Sequence, residues 1–259
     1  IMINKTELKI EEFVPLFNFA TGHSQTVLGH IMSSNMLSTT LQKEILVLSD
    51  SDQVQLEYKK GFKPYTLTLF HGLGGDAQAD YIHRSAIIAE ELGWNIVLVN
   101  HRGSIPSLKA NKTYHSGRGE DAEQIIEWAR LKFPNTKQIA LGFSMSGSIL
   151  LNLLSYRYGK KQPDAAVVVN APLRLDRSAE LLTKGFSKIY DYRFYLTLKK
   201  LIQARDSIAL PMLGRTMDID RLYTAPKNNF KDEYDYYNKC SAWEHVGQIK
   251  TPTFVLTSM

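Results

Sequence analysis

The chain has 259 residues, 44% of them apolar, which is near the upper limit of what one hydrophobic core serves and enough to fill it. Its 31 Lys and Arg against 26 Asp and Glu leave +5, too mild a surplus to point to nucleic acid as a partner. Cys240 is the single cysteine, so no intramolecular disulfide is possible, no Cys and His cluster has zinc spacing, and a reducing cytoplasmic compartment without metal or other cofactor is the expectation.

The first elements read as β. Residues 41–48 and 54–58 alternate apolar and polar positions around the turn-rich Ser49-Asp50-Ser51-Asp52-Gln53, which predicts an antiparallel hairpin. A buried strand over 65–70, a helix over about 80–92 and a buried strand over 94–100 follow. The rhythm continues with a helix over about 119–132, a strand over 138–143, a helix over about 146–158 and a strand over 165–170. Such alternation predicts an α/β fold, a mostly parallel sheet with helices on both faces. After Pro172 about eighty residues of helical periodicity intervene before 251–256 resumes the sheet, too long for an ordinary connection. Pro211, Gly214 and Pro226 divide it into two or three expected helices. The domain reading is a single domain over 1–259, with a core at about 40–172 and 251–259, a helical lid at about 173–250 and an N-terminal extension at about 1–39. Its apolar stretches, such as 95–99 and 165–169, fall far short of the ~20 residues of a bilayer span. The start Ile1-Met2-Ile3-Asn4-Lys5 has no signal-peptide core, so a soluble or membrane-peripheral protein is expected.

Gly142-Phe143-Ser144-Met145-Ser146-Gly147 stands where a strand must turn sharply into a helix, the setting of a nucleophile elbow. Small residues flank the tight turn, so Gly142 and Ser146 let the backbone pass while the Ser144 hydroxyl projects above the sheet. A serine that merely caps a helix is the bland alternative. His71-Gly72-Leu73-Gly74-Gly75 follows the strand over 65–70 and can aim backbone amides at a developing oxyanion, the donors being Leu73 and Met145. Gly72 gives the turn its freedom, and His71 is read as holding it by hydrogen bonds. The same glycines fit a dinucleotide fingerprint through Ala77, but Asn100-His101-Arg102-Gly103 stands where a ribose-binding acid belongs, and Arg102 would serve only a 2′-phosphate. His101 and His115 are read as structural, and Glu120 and Asp121 as favouring the start of their helix through its dipole.

Together with Gly22-His23-Ser24-Gln25-Thr26, Tyr114-His115-Ser116-Gly117, Ala171-Pro172, Lys184-Gly185-Phe186-Ser187, Asp235-Tyr236-Tyr237 and Cys240-Ser241-Ala242, these motifs resemble the YheT-like α/β-hydrolases, a family that includes eukaryotic α/β-hydrolase-domain lipases. The likeness runs from about residue 13 onward. It implies an α/β-hydrolase fold and a serine hydrolase of carboxylic esters, with Ser144 as nucleophile and a lid over an acyl pocket after Pro172. Ser146 departs from a usual glycine, and the family's acid and histidine would lie beyond Met259, in a C-terminal part expected to complete the fold. A catalytically silent hydrolase fold that serves as a binding module is the alternative. Partners expected are a small-molecule or lipid ester and, through the lid, an anionic membrane: nine basic residues against four acidic ones between Leu173 and Arg215 leave +5 there, interleaved with apolar residues at helical spacing.

Overall fold

A computed structural model describes Leu37 and residues 40–257, all within the second of two compact units, residues 36–259. The readings on residues 1–36, including the segment 22–26 and His23 and His30, lie outside the described residues.

β1 (Gln42–Val47) and β2 (Gln53–Lys59) form the expected hairpin, with Leu46 opposite Val54. Ser51 turns it at φ 70°. β3 (Tyr65–Phe70), α1 (Asp80–Glu91), β4 (Asn95–Asn100), α2 (Gly119–Lys132) and β5 (Lys137–Phe143) follow. Next come α3 (Met145–Leu154) and β6 (Ala165–Val169). The helical insert is α4 (Leu175–Leu182), α5 (Ser187–Gln203), α6 (Thr216–Ile219), α7 (Ala225–Lys227) and α8 (Glu233–Cys240), then a 3-10 turn over Trp243–Gln248. β7 (Thr253–Leu256) returns to the sheet.

The seven strands lie in the order β1-β2-β4-β3-β5-β6-β7, antiparallel up to β4 and parallel from there on. From β3 the chain goes first to β4 on one side and then crosses to β5 on the other. The crevice between the carboxyl ends of β3 and β5 is therefore the topological switch point, where open α/β sheets place their sites. Alternate side chains feed two cores: Phe70, Val97, Val99, Ala140 and Val168 pack under α2 and α3, while Leu67, Leu69, Ile96 and Leu98 pack under α1.

Two expectations are corrected. The helix after the elbow stops at Leu154, four residues before Tyr158, because Tyr156 takes φ 60° and the Asn152 carbonyl accepts the amides of Arg157 and Tyr158. That closes a left-handed C-terminal turn which local periodicity does not announce. The insert holds more than two or three helices. Pro226 does not break its run: a π-helical turn, Asp220–Thr224, widens the chain just before it, where an α-helix would drive the proline ring against the carbonyl four residues back.

Candidate active site

The parallel register sets Phe70 beside Gly142, so the two loops that leave β3 and β5 emerge side by side. Ser144 sits between β5 and α3 at φ 51°, ψ −120°, a backbone conformation strongly disfavoured for any residue with a Cβ. The neighbours hold it there. The Ser144 amide donates to the Val169 carbonyl at 2.8 Å, its carbonyl accepts from Gly147 at 2.9 Å, and its side chain is exposed. No described hydrogen bond engages its hydroxyl. A Cβ on Gly142 would stand 2.6 Å from the Ser146 carbonyl oxygen, so only glycine lets the elbow fold back on its strand.

The turn after β3 closes against this serine. The Gly75 amide donates to the Gly72 carbonyl at 3.2 Å with Gly74 at φ 70°, the geometry of a turn that needs glycine at its third position. A Cβ on Gly72 would meet the Ser144 Cβ at 3.2 Å, so the turn touches Ser144 itself. Two tyrosines occupy the neighbouring amides: Gly72 donates to the Tyr81 hydroxyl at 3.0 Å and Gly74 to the Tyr114 hydroxyl at 2.8 Å. The amides of Leu73 and Met145 donate to no described residue. Met145 is the first residue of α3, whose amide has no partner within the helix. One of these amides follows the exposed serine directly in the chain, and the other belongs to the turn that touches it.

His71 is fully buried, and its Nδ1–H donates to the Gly72 carbonyl at 2.7 Å. Burial pulls its pKa down to about 4, so the ring is neutral at physiological pH. The Ser146 hydroxyl donates to the His71 carbonyl, and the Nε2–H of His101 in turn donates to Ser146 at 2.8 Å. His101 stacks on Tyr114 at 5.2 Å between ring centroids, and burial, then His71 and Arg102, hold it well below the ordinary range. Ser146 is therefore more than a small residue: it ties the ends of β3 and β4 to the first turn of α3. Sequence spacing carried no signal for this. His115, also buried and held neutral by its burial, accepts from the Gly117 amide at 3.1 Å against Tyr236 and Phe230. None of these three rings hydrogen-bonds Ser144.

Arg102, 1% exposed, is engaged through all three of its nitrogens. Nε and one terminal nitrogen grip Asp121 at 2.6 and 2.7 Å, and the other terminal nitrogen donates to both Asp50 and Asp52 at 2.7 Å. These carboxylates keep the guanidinium charged, its pKa raised above the ordinary arginine value against the opposing effect of burial. It has no donor left for a 2′-phosphate, and α1 begins only at Asp80, well past the glycines, so the dinucleotide reading fails on geometry. Asp121 does lie in the first turn of α2 as expected, but its main partner is this buried cation, which pins the β1–β2 hairpin to the strand ends.

A small cavity lies between the glycine turn and the insert, lined by Leu73, Leu198, Leu201, Ile219, Asp220 and Tyr223. Leu73 packs against the insert's own core of Tyr195, Leu198, Ile202, Ile219 and Tyr223. Asp220, which sequence reasoning passed over, accepts from the Tyr237 hydroxyl at 2.8 Å, and its enclosure pushes its pKa up to about 7. Only the local widening of the helix, invisible in the sequence, brings it to the cavity.

The α/β-hydrolase fold family matches residues 65–213. The chain is 32% identical over 262 residues to the assigned esterase YheT of Escherichia coli (strain K12), covering 95% of this chain and 76% of that protein. It is 25% identical to the phospholipase ABHD3 of Bos taurus, covering 96% of this chain and 65% of that protein, so it spans less than two thirds of this second relative. A solved structure of the Pyrococcus furiosus esterase Pf2001 superposes with a TM-score of 0.54 over 88% of both chains at 16% identity, a likeness of fold alone.

Proposed function

This chain belongs to the α/β-hydrolase family, in its YheT-like branch, and from that premise we propose a serine hydrolase that cleaves carboxylic esters through an acyl-serine at Ser144. One observation carries the reading: the backbone of an exposed serine is held at φ 51°, ψ −120° beside two unpaired amides. Such strain is stable only where the surroundings over-determine it, and such sites cluster where chemistry is done. A bare helix cap needs none of it.

In the proposed reaction the Ser144 oxygen attacks the ester carbonyl carbon while a histidine base takes the hydroxyl proton. The carbonyl electrons move onto oxygen, and the Leu73 and Met145 amides stabilise that oxyanion, each worth about 3–4 kcal/mol where such a donor has been removed elsewhere. Collapse expels the alcohol, which takes the proton, and water then releases the acid. The triad order of this fold is serine, acid, histidine, so the acid and base of the proposed reaction follow Ser144 in the chain. His71 and His101 are unsuited to be the base: burial makes both rings weak bases, and neither hydrogen-bonds Ser144, their bonds going to Gly72 and Ser146. Their role is to position the oxyanion turn. The helical insert over 173–250 is the proposed lid, its cavity beside Leu73 the start of the acyl pocket.

Ser144→Ala tests the assignment. Loss of turnover on the order of a millionfold, with loss of fluorophosphonate labelling, is expected from the same deletion in a related triad enzyme. Turnover near the parent level in the mutant would refute Ser144 as nucleophile. A parent protein that neither labels nor turns over soluble esters would be a silent fold used for binding.

A further inference from the structure

We propose that the outer face of α5, with the turn before it, is a docking surface for anionic lipid bilayers. The helix presents two opposite faces. Asp191, Tyr195, Leu198 and Ile202 are buried, whereas Ile189, Arg193, Leu196 and Lys200, spaced by four, three and four residues, form one exposed stripe. Ile189 is 65% and Leu196 45% exposed, and the stripe continues into Phe186 at 70% and Leu181 at 62%. Single exposed apolar residues are ordinary, but a row of them interleaved with cations is not.

The charge on this face is one-sided. Arg193 and Lys200 are exposed in the stripe and Lys188 on its flank, while Lys184, also exposed, is paired with Glu180. The nearby acids are engaged: Asp191 is buried and accepts from the Thr216 amide at 2.9 Å, and Glu180 pairs with Arg177 and Lys184. This composition favours lipid over a protein partner, because lysine is depleted from the cores of protein interfaces. Basic residues beside Phe, Leu and Ile on one helix are instead the pattern that lies in a headgroup layer.

The stripe is also well placed. A Cβ on Gly74 would stand 3.4 Å from Thr197 Cγ2 and 3.8 Å from Leu198 Cδ2, so the helix that carries the stripe borders the oxyanion turn with its next flank. A bilayer held on the outer face would lie across this helix from the oxyanion turn. Delivery of ester lipids to that serine rests on the function proposed above; the binding does not.

The test is co-sedimentation of the protein with phosphatidylcholine vesicles, with and without phosphatidylglycerol, at low and physiological salt. Binding that requires phosphatidylglycerol and weakens with salt is expected. Lys188→Gln with Lys200→Gln should lower the partition coefficient about 30-fold, at ~1 kcal/mol per cation. Phe186→Ser with Ile189→Ser should abolish binding while leaving hydrolysis of a water-soluble ester unchanged. Absent binding, equal binding to neutral vesicles, or variants that bind like the parent would each overturn the proposal. So would a dimer in sedimentation equilibrium that the Phe186 and Ile189 variant dissolves, which would make the face a contact between copies. A parent that binds vesicles but hydrolyses no ester would strike the Ser144 reading alone.

Discussion

The carboxyl ends of β3, β4 and β5 and the insert between β6 and β7 treat charge and exposure in opposite ways. At the strand ends a buried guanidinium meets three carboxylates, two neutral imidazoles are locked to a carbonyl and a hydroxyl, and the polar atoms hold one another in place. In the insert most ion pairs join residues two to four apart, such as the exposed Arg174 with Asp176 and Lys184 with Glu180, and only Lys227 with Asp206 spans a longer separation among the described residues, while Phe186, Ile189, Met212 and Leu213 face outward. The first region trades adaptability for a geometry accurate enough to hold a strained serine. The second keeps only small cores of its own and leaves large apolar side chains on its outer surface.

The comparison breaks first at Arg102. Arg102→Ala leaves Asp52 and Asp121 buried without their cation and should destabilise the protein by about 3–5 kcal/mol, read as a shift of the urea midpoint. A loss below about 1 kcal/mol would mean that the strand ends are no more tightly specified than the insert.

Acid supplies a graded version. His71, His101 and His115 are neutral when folded because burial depresses their pKa values, His71 to about 4. The unfolded chain protonates them near pH 6.5, so their contribution is fully present above that value and is lost as pH falls toward 4. For His71 this should cost about 2 kcal/mol at pH 5 relative to neutrality, with His101 and His115 acting in the same direction. His71→Asn should make the denaturation midpoint less sensitive over this interval, and an unchanged pH profile would show that the ring is not buried neutral.

The smallest effect is expected on the outer face of α5. Ile189→Ser should change stability by no more than about 0.5 kcal/mol, since little area is withdrawn from water there. A loss of 2 kcal/mol or more would place Ile189 in a packed interface and erase the contrast between the two regions.

Alternation of period two in the first hairpin, short apolar runs bounded by turns, and the Gly142 to Gly147 motif were enough to read β1 through β6, the sharp strand-to-helix turn at Ser144 and the glycine turn, because each depends on residues close in sequence. The helical spacing of apolar and basic residues between Leu173 and Arg215 likewise announced helices with an apolar face, one of which is α5. Only the tertiary structure decided that this helix has an exposed apolar stripe as well as a buried one, since periodicity counts apolar residues without saying which neighbour covers them. It alone paired Arg102 with Asp50, Asp52 and Asp121, partners 52, 50 and 19 residues away, and set Ser146 between His71 and His101. Asp220 reached its cavity through a π-helical turn, and α3 ended early on a left-handed Tyr156. Each of these outcomes was set by contacts made when distant segments packed together, and a local pattern of residues does not encode the identity of a distant partner.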